Sequence, residues 1–171
     1  AKYLIETMLG IPVGLAAPSV ASIYHARVKM DDVLLIGISQ SGEAADVISV
    51  IEQANEDGAD TLAITNVADS PITASAKHTI ELHANPEMAV AATKTFTSTM
   101  AALLVLCASI GRSEELRSDL MRLPDLIADV LTSEPQIRVK VERFRYLEEC
   151  VVLGRGYNLA TAYELALKLR E

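Results

Sequence analysis

Apolar residues in this chain fall into short unbroken runs that alternate with stripes at helical spacing. Val33–Ser39 (VLLIGIS), Asp60–Asn66 (DTLAITN), His78–Ala84 (HTIELHA) and Cys150–Gly154 (CVVLG) are the short runs, and they predict strands. Ile11–Ala17 reads as a further short strand or extended piece. Glu43–Asp57 carries Ala44, Val47, Ile48, Ile51 and Ala54 on one helical stripe and stops at Gly58. Other helices are expected over Ala1–Leu9, ended by Gly10, from Pro18 to about Arg27, and from Ser70-Pro71 onward for a short stretch. Lys94–Ile110, Glu114–Leu131, Pro135–Leu147 and Tyr157–Glu171 complete the set. The strands are continuous apolar runs, as expected when both faces are buried. With helices between them they predict an α/β fold, a parallel, doubly wound sheet flanked by helices.

The first helix opens without a cap and the last runs to the end of the sequence. The pattern is that of a piece of a larger α/β protein. It divides into a first unit over residues 1–133, a helical bridge over 134–149, and the start of a second unit over 150–171.

Composition narrows the function. Half of the 171 residues are hydrophobic, which argues against disorder, and with no Trp and two Phe the core is aliphatic. The formal net charge of -8 and the lack of a basic face argue against nucleic acid as a partner. A small anion is still compatible, because local backbone N–H groups act independently of overall charge. The longest apolar run, Met100–Ile110, is too short to span a bilayer, so no membrane partner is expected. Cys107 and Cys150 lie apart in apolar runs and read as buried thiols, in keeping with a cytoplasmic protein. His25, His78 and His83 have no metal-ligand spacing, and no metal or cofactor is expected.

The chemistry gathers at strand ends. Ser39-Gln40-Ser41-Gly42 follows the Val33–Ser39 strand and precedes a helix, the place where parallel sheets bind ligands. Its hydroxyls, its amide and the adjoining helix start suit a phosphate. A serine helix cap is the competing structural reading. A nucleophile elbow does not fit, because Gly37-Ile38-Ser39 continues with Gln40-Ser41 where that pattern has a glycine. Gly154-Arg155-Gly156 is either a second cradle or a plain turn. Glu87 and Lys94 either pair with each other or line a pocket. Glu164, Lys168 and Glu171 share one face of the last helix, either as an ion-pair stripe or as acid–base groups.

Three motifs in order, LLIGISQSGEAADV (Leu34–Val47), ELHANPEMAVAATKTFT (Glu81–Thr97) and VVLGRGYNLATAYELALKLRE (Val151–Glu171), resemble the sugar isomerase (SIS) family over nearly the whole chain. Within it they are most like the isomerase half of glucosamine-6-phosphate synthases. The resemblance implies tandem SIS units that bind a hexose 6-phosphate, pair as homodimers and couple aldose–ketose isomerisation to amination of fructose 6-phosphate. Deaminases, deglycases and non-catalytic sugar-phosphate sensors are the alternatives within the family. Ser39, Gln40 and Ser41 map to the phosphate loop, and the backbone at Val90 and Ala91 to the sugar contact. Glu164, Lys168 and Glu171 map to the final-helix motif, in which the last glutamate shuttles the proton and the lysine serves ring opening or imine formation. That role calls for a partly buried Glu171. Ala44 stands where many synthases have Thr, and Leu165 and Arg170 are milder departures. Against the family pattern, the opening strand with its own phosphate loop, the rest of the second unit and the glutaminase part are expected to lie outside these residues.

Overall fold

The computed structural model of the protein describes residues 1–170. The chain forms two compact units. One comprises Val13–Leu103 with Lys2, and the other comprises Tyr3–Pro12 and the chain from Leu104 onward with Ala1.

The first unit holds the sheet. Strands β1 (Leu34–Ile38), β2 (Asp60–Thr65) and β3 (His78–Glu81) lie in that order and all parallel. Leu34 pairs with Asp60 and Ile38 with Ile64, and Leu62 pairs with His78 and Thr65 with Glu81. With α1 spanning Lys2–Leu9 in the other unit, the helices here are α2 (Pro18–Ser22), α3 (Ala45–Glu56) and α4 (Pro71–Ser75). The expected α/β class and parallel sheet are present. Only β2 is buried along nearly its whole length, because it is central; Leu34 and Ile38 at the ends of β1 are exposed. Helix α2 stops at Ser22, short of the expected end near Arg27, and His25 then takes φ +49°, outside the helical range. Ile11–Ala17 forms no strand, since it joins no ladder.

Helix α3 supplies the core. Ile51 and Ala54 are fully buried, as predicted, while Ala44 lies just before the helix as its N-cap. Ile51 packs with Ala63 of β2 and Ile72 of α4, and Val50 and Ala54 pack with Met30 and Ala59. Buried Thr61 is satisfied: it donates to the Asn55 side-chain oxygen Oδ1 at 2.8 Å and accepts from the Lys77 N–H, while the Asn55 side-chain amide donates to the Ser75 carbonyl. This network ties α3, β2 and the end of α4 together.

Helix α5 (Lys94–Ile110) begins in the first unit and ends in the second, with the limits read from the sequence. In the second unit α1 ends at Gly10 in a left-handed turn. The expected helix Glu114–Leu131 is two helices, α6 (Glu114–Met121) and α7 (Leu123–Leu131). Pro124 has no N–H to give and its ring crowds the preceding turn, so the helix restarts there. The next expected helix shortens to α8 (Glu134–Val141), followed by a 3₁₀ turn over Glu142–Phe144. Cys150–Gly154 forms no strand among the described residues, having no ladder partner there. For the same reason Cys150 is exposed, not buried as expected, whereas Cys107 is buried and its thiol pKa is pushed up by that burial. Helix α9 spans Asn158–Lys168.

Candidate functional site

Three strand ends meet at a cleft of about 440 Å³ in the first unit. Gln40 comes from the end of β1, Asn66 and Val67 from the end of β2, and Glu81, His83, Asn85, Pro86 and Glu87 from β3 and beyond. The carboxyl edge of a parallel sheet gathers loops in this way because every strand points the same direction.

The Ser39–Gly42 turn is built from its own side chains. Ser39 Oγ accepts from the Gly42 N–H at 3.2 Å, and Ser41 Oγ accepts from the Glu43 N–H at 3.3 Å. Neither serine caps α3, whose N-cap is Ala44 with no side-chain bond. The helix-cap reading of these serines therefore fails. A hydroxyl that accepts from the turn still has a hydrogen to donate; Ser39 is buried, and of this turn Gln40 is the residue that lines the cleft. The adjoining helix start is only partly free, because the Val47 N–H is taken by the Asp46 carboxylate at 2.9 Å. Gly42 has φ +72°, and a Cβ there would overlap Ser70, so only glycine fits.

The loops are also tied to one another. The Gln40 carbonyl accepts from the Asn66 N–H at 3.1 Å and from the Thr65 hydroxyl at 3.3 Å. The Asn66 side chain then donates to the Asn85 carbonyl at 2.8 Å and accepts from the Ala84 N–H at 2.9 Å. His83 and Asn85 both hold positive φ, near +50° and +57°, a conformation that non-glycine residues keep only when their surroundings fix it. His83 Nδ1 lies 3.2 Å from the Glu81 carboxylate.

Glu87 accepts from the Thr93 and Thr95 N–H groups at 3.0 and 3.3 Å and from both hydroxyls. These bonds, led by the Thr93 N–H, hold its pKa down to about 2. It does not pair with Lys94, which instead donates to the Pro86 carbonyl at 2.8 Å. Val90 and Ala91 sit in the turn between Glu87 and α5, with Val90 wholly exposed.

In the second unit Lys168 Nζ lies 3.0 Å from Glu164 Oε1, an i,i+4 pair with both side chains largely covered. Glu171, the third member of the expected set, lies outside the described residues, as does its expected burial. Gly154 packs closely on α9, where an added Cβ would come within 2.5 Å of the Asn158 carbonyl, and Gly156 turns at φ +60°. The Gly154–Gly156 segment is thus accounted for as a tight turn.

Asn66, His83 and Asn85 were not singled out for a site by the sequence. Their position one residue past β2 and two and four residues past β3 is the signal that marks them. No group of three or more His, Cys, Asp or Glu among the described residues is placed to hold a metal ion. No helix among them is long and apolar enough to cross a membrane.

A parallel sheet flanked by helices, with a hydroxyl-bearing turn and a polar cleft at its carboxyl edge, defines an α/β protein with a candidate ligand site at its strand ends. The chain belongs to the SIS domain family, whose model matches residues 3–109. A Thermotoga maritima glutamine–fructose-6-phosphate aminotransferase (isomerizing) is 36% identical over 99% of this chain and 29% of its own length. The C-terminal domain of the glucosamine-fructose-6-phosphate aminotransferase of Francisella tularensis superposes with a TM-score of 0.91 at 28% identity, over 99% of this chain and 51% of its own. A Silicibacter pomeroyi DSS-3 protein provisionally called a phosphosugar isomerase superposes at 0.90 with 40% identity, over 99% and 51%. The chain therefore spans less than a third of the aminotransferase and about half of each solved chain.

Proposed function

We propose that this chain binds a hexose 6-phosphate and forms part of an enzyme that converts fructose 6-phosphate to glucosamine 6-phosphate. The observation that carries the reading is the Ser39–Gly42 turn. It lies at the carboxyl end of β1, its shape is fixed by its own hydroxyls, and Gln40 reaches the adjoining cleft. Ser39, Gln40 and Ser41 hold the phosphate, and the backbone at Val90 and Ala91 meets the sugar. Ammonia adds to the C2 carbonyl with loss of water, C1 gives up a proton and C2 gains one. The product is a 2-amino sugar with an aldehyde at C1. Glu171 moves that proton, Lys168 serves ring opening or imine formation, and Glu164 holds the lysine in place, consistent with the 3.0 Å Glu164–Lys168 pair. The identities to the aminotransferases support this reading.

The 40% identity to the Silicibacter pomeroyi protein favours a second reading, a phosphosugar isomerase acting on the same class of substrate, with the deaminases the SIS resemblance allows as its amino-sugar form. Assay of the complete protein separates the two. Amination of fructose 6-phosphate supports the first, and ammonia release from glucosamine 6-phosphate the second. In either case Glu171→Gln is expected to abolish turnover and leave sugar-phosphate binding intact. The double change Ser39→Ala, Ser41→Ala is expected to weaken binding by about 3–6 kcal/mol, the worth of two hydrogen bonds to a charged group. Turnover retained in Glu171→Gln, or binding unchanged in the serine variant, overturns the assignment.

A further inference from the structure

We infer that Glu87 is a positioning residue that shapes the Met88–Ala92 turn before substrate arrives, so that the turn presents its backbone to the sugar. This rests on the hexose-phosphate reading above. Two sets of bonds tie the two ends of the turn together at its base. Glu87 accepts from the Thr93 N–H at 3.0 Å, the Thr95 N–H at 3.3 Å, and the Thr93 and Thr95 hydroxyls at 3.1 and 3.0 Å. Lys94 donates back to the carbonyl of Pro86 at 2.8 Å. Thr95 is only 1% exposed, so one of the residues that Glu87 holds is fixed in the protein interior. Glu87 and Pro86 also line the cleft, so the pinned base of the turn is itself part of the cleft wall.

Between the pins the chain carries exposed apolar residues. Met88 is 87% exposed and Val90 fully exposed. Left untied, five residues of this kind would have to be ordered when the ligand binds, at a cost to affinity. The carboxylate removes that cost in advance. Two oxygens serving five donors, the Ala89 N–H at 3.5 Å included, explain why this position suits glutamate. A glutamine would turn an NH₂ group toward N–H and O–H donors, and an aspartate is one methylene shorter.

The test uses the complete protein, with fructose 6-phosphate and inorganic phosphate as probes in calorimetry and with hydrogen exchange of the free protein. In Glu87→Ala, amide exchange is expected to rise across residues 88–95 and stay unchanged in β1 and β2. Affinity for fructose 6-phosphate is expected to fall roughly tenfold, the scale of ordering one flexible segment on binding. Affinity for inorganic phosphate, which touches only the serine turn, is expected to hold. Glu87→Gln, retaining one acceptor, is expected to fall between wild type and Glu87→Ala on both readouts. Unchanged exchange at 88–95 overturns the inference, as does an equal proportional loss of both ligands or a rise in exchange throughout the sheet. Failure of the hexose-phosphate reading is visible separately, because wild-type protein would then bind neither probe. The sugar role of the turn falls with it.

Discussion

Gly42→Ala is expected to damage this protein more than its backbone angle alone explains, and Gly58→Ala provides the control. Both glycines are left-handed, at φ +72° and +86°. Placing alanine in that conformation costs about 1–2 kcal/mol. At Gly58 nothing lies within 4 Å of the added Cβ, so the backbone term is the whole effect. At Gly42 the Cβ would overlap Ser70 Oγ and reach Ile72 Cγ2 at 3.0 Å. Neither neighbour can step aside easily. Ser70 donates to the Val67 carbonyl at 2.7 Å, and Ile72 is fully buried against Ile51 and Ala63. Overpacking of this kind adds about 1–3 kcal/mol, giving about 2–5 kcal/mol for Gly42→Ala. Native-state hydrogen exchange of the slowest β1 and β2 amides reads these costs directly as opening free energies. The two variants should differ by about 1–3 kcal/mol. Equal losses at the two positions would refute the claim that Ser70 and Ile72 close the space around the serine turn.

Other expectations are more local. The Glu87 carboxyl, held down to about 2 from the ordinary glutamate value of 4.5, favours the fold above the unfolded pKa. Its contribution is complete above about pH 4.5 and is lost as pH falls through about 2, so an NMR titration of its carboxyl carbon with a midpoint near 4.5 would refute the bonding described. Asn66→Ala leaves the Ala84 N–H and the Asn85 carbonyl without their partner. It should cost about 1–3 kcal/mol in a thermal melt; a loss within experimental error would show that the loops are tied by other means. Ile51→Ala opens a cavity at the meeting of α3, β2 and α4 and should cost about 2–5 kcal/mol by denaturant titration.

Much of the architecture is written locally. The β1 and β2 runs, the α3 stripe ending at Gly58 and the limits of α5 can be read from neighbouring residues, because each depends on spacing within one element. The errors fall where a distant partner or a single residue decides the outcome. Cys150–Gly154 has the composition of a strand, but a strand exists only with a neighbour to bond, and none is present among the described residues. Pro124 split a helix whose apolar periodicity otherwise continues across the break. The site divides in the same way. The serine turn is legible as a motif after a strand, although its serines bond the turn itself and leave the helix cap to Ala44. The link from Asn66 to residues 84 and 85 spans 18 and 19 positions and depends on strand register, which no short window of sequence contains.

Asn66 has a consequence for how such a protein can diversify. Its backbone N–H reaches the loop after β1 and its side chain the segment after β3, so one residue joins three strand ends. A change in the length or path of any one loop disturbs the other two. Insertions at these strand ends should therefore be selected against as a group, and the three loops should be inherited together. Met88 and Val90, exposed at the tip of the turn, carry no such obligation. Under the proposed sugar contact at this turn, drift toward a different sugar would begin at that tip, where a side chain can be exchanged without rebuilding the cleft.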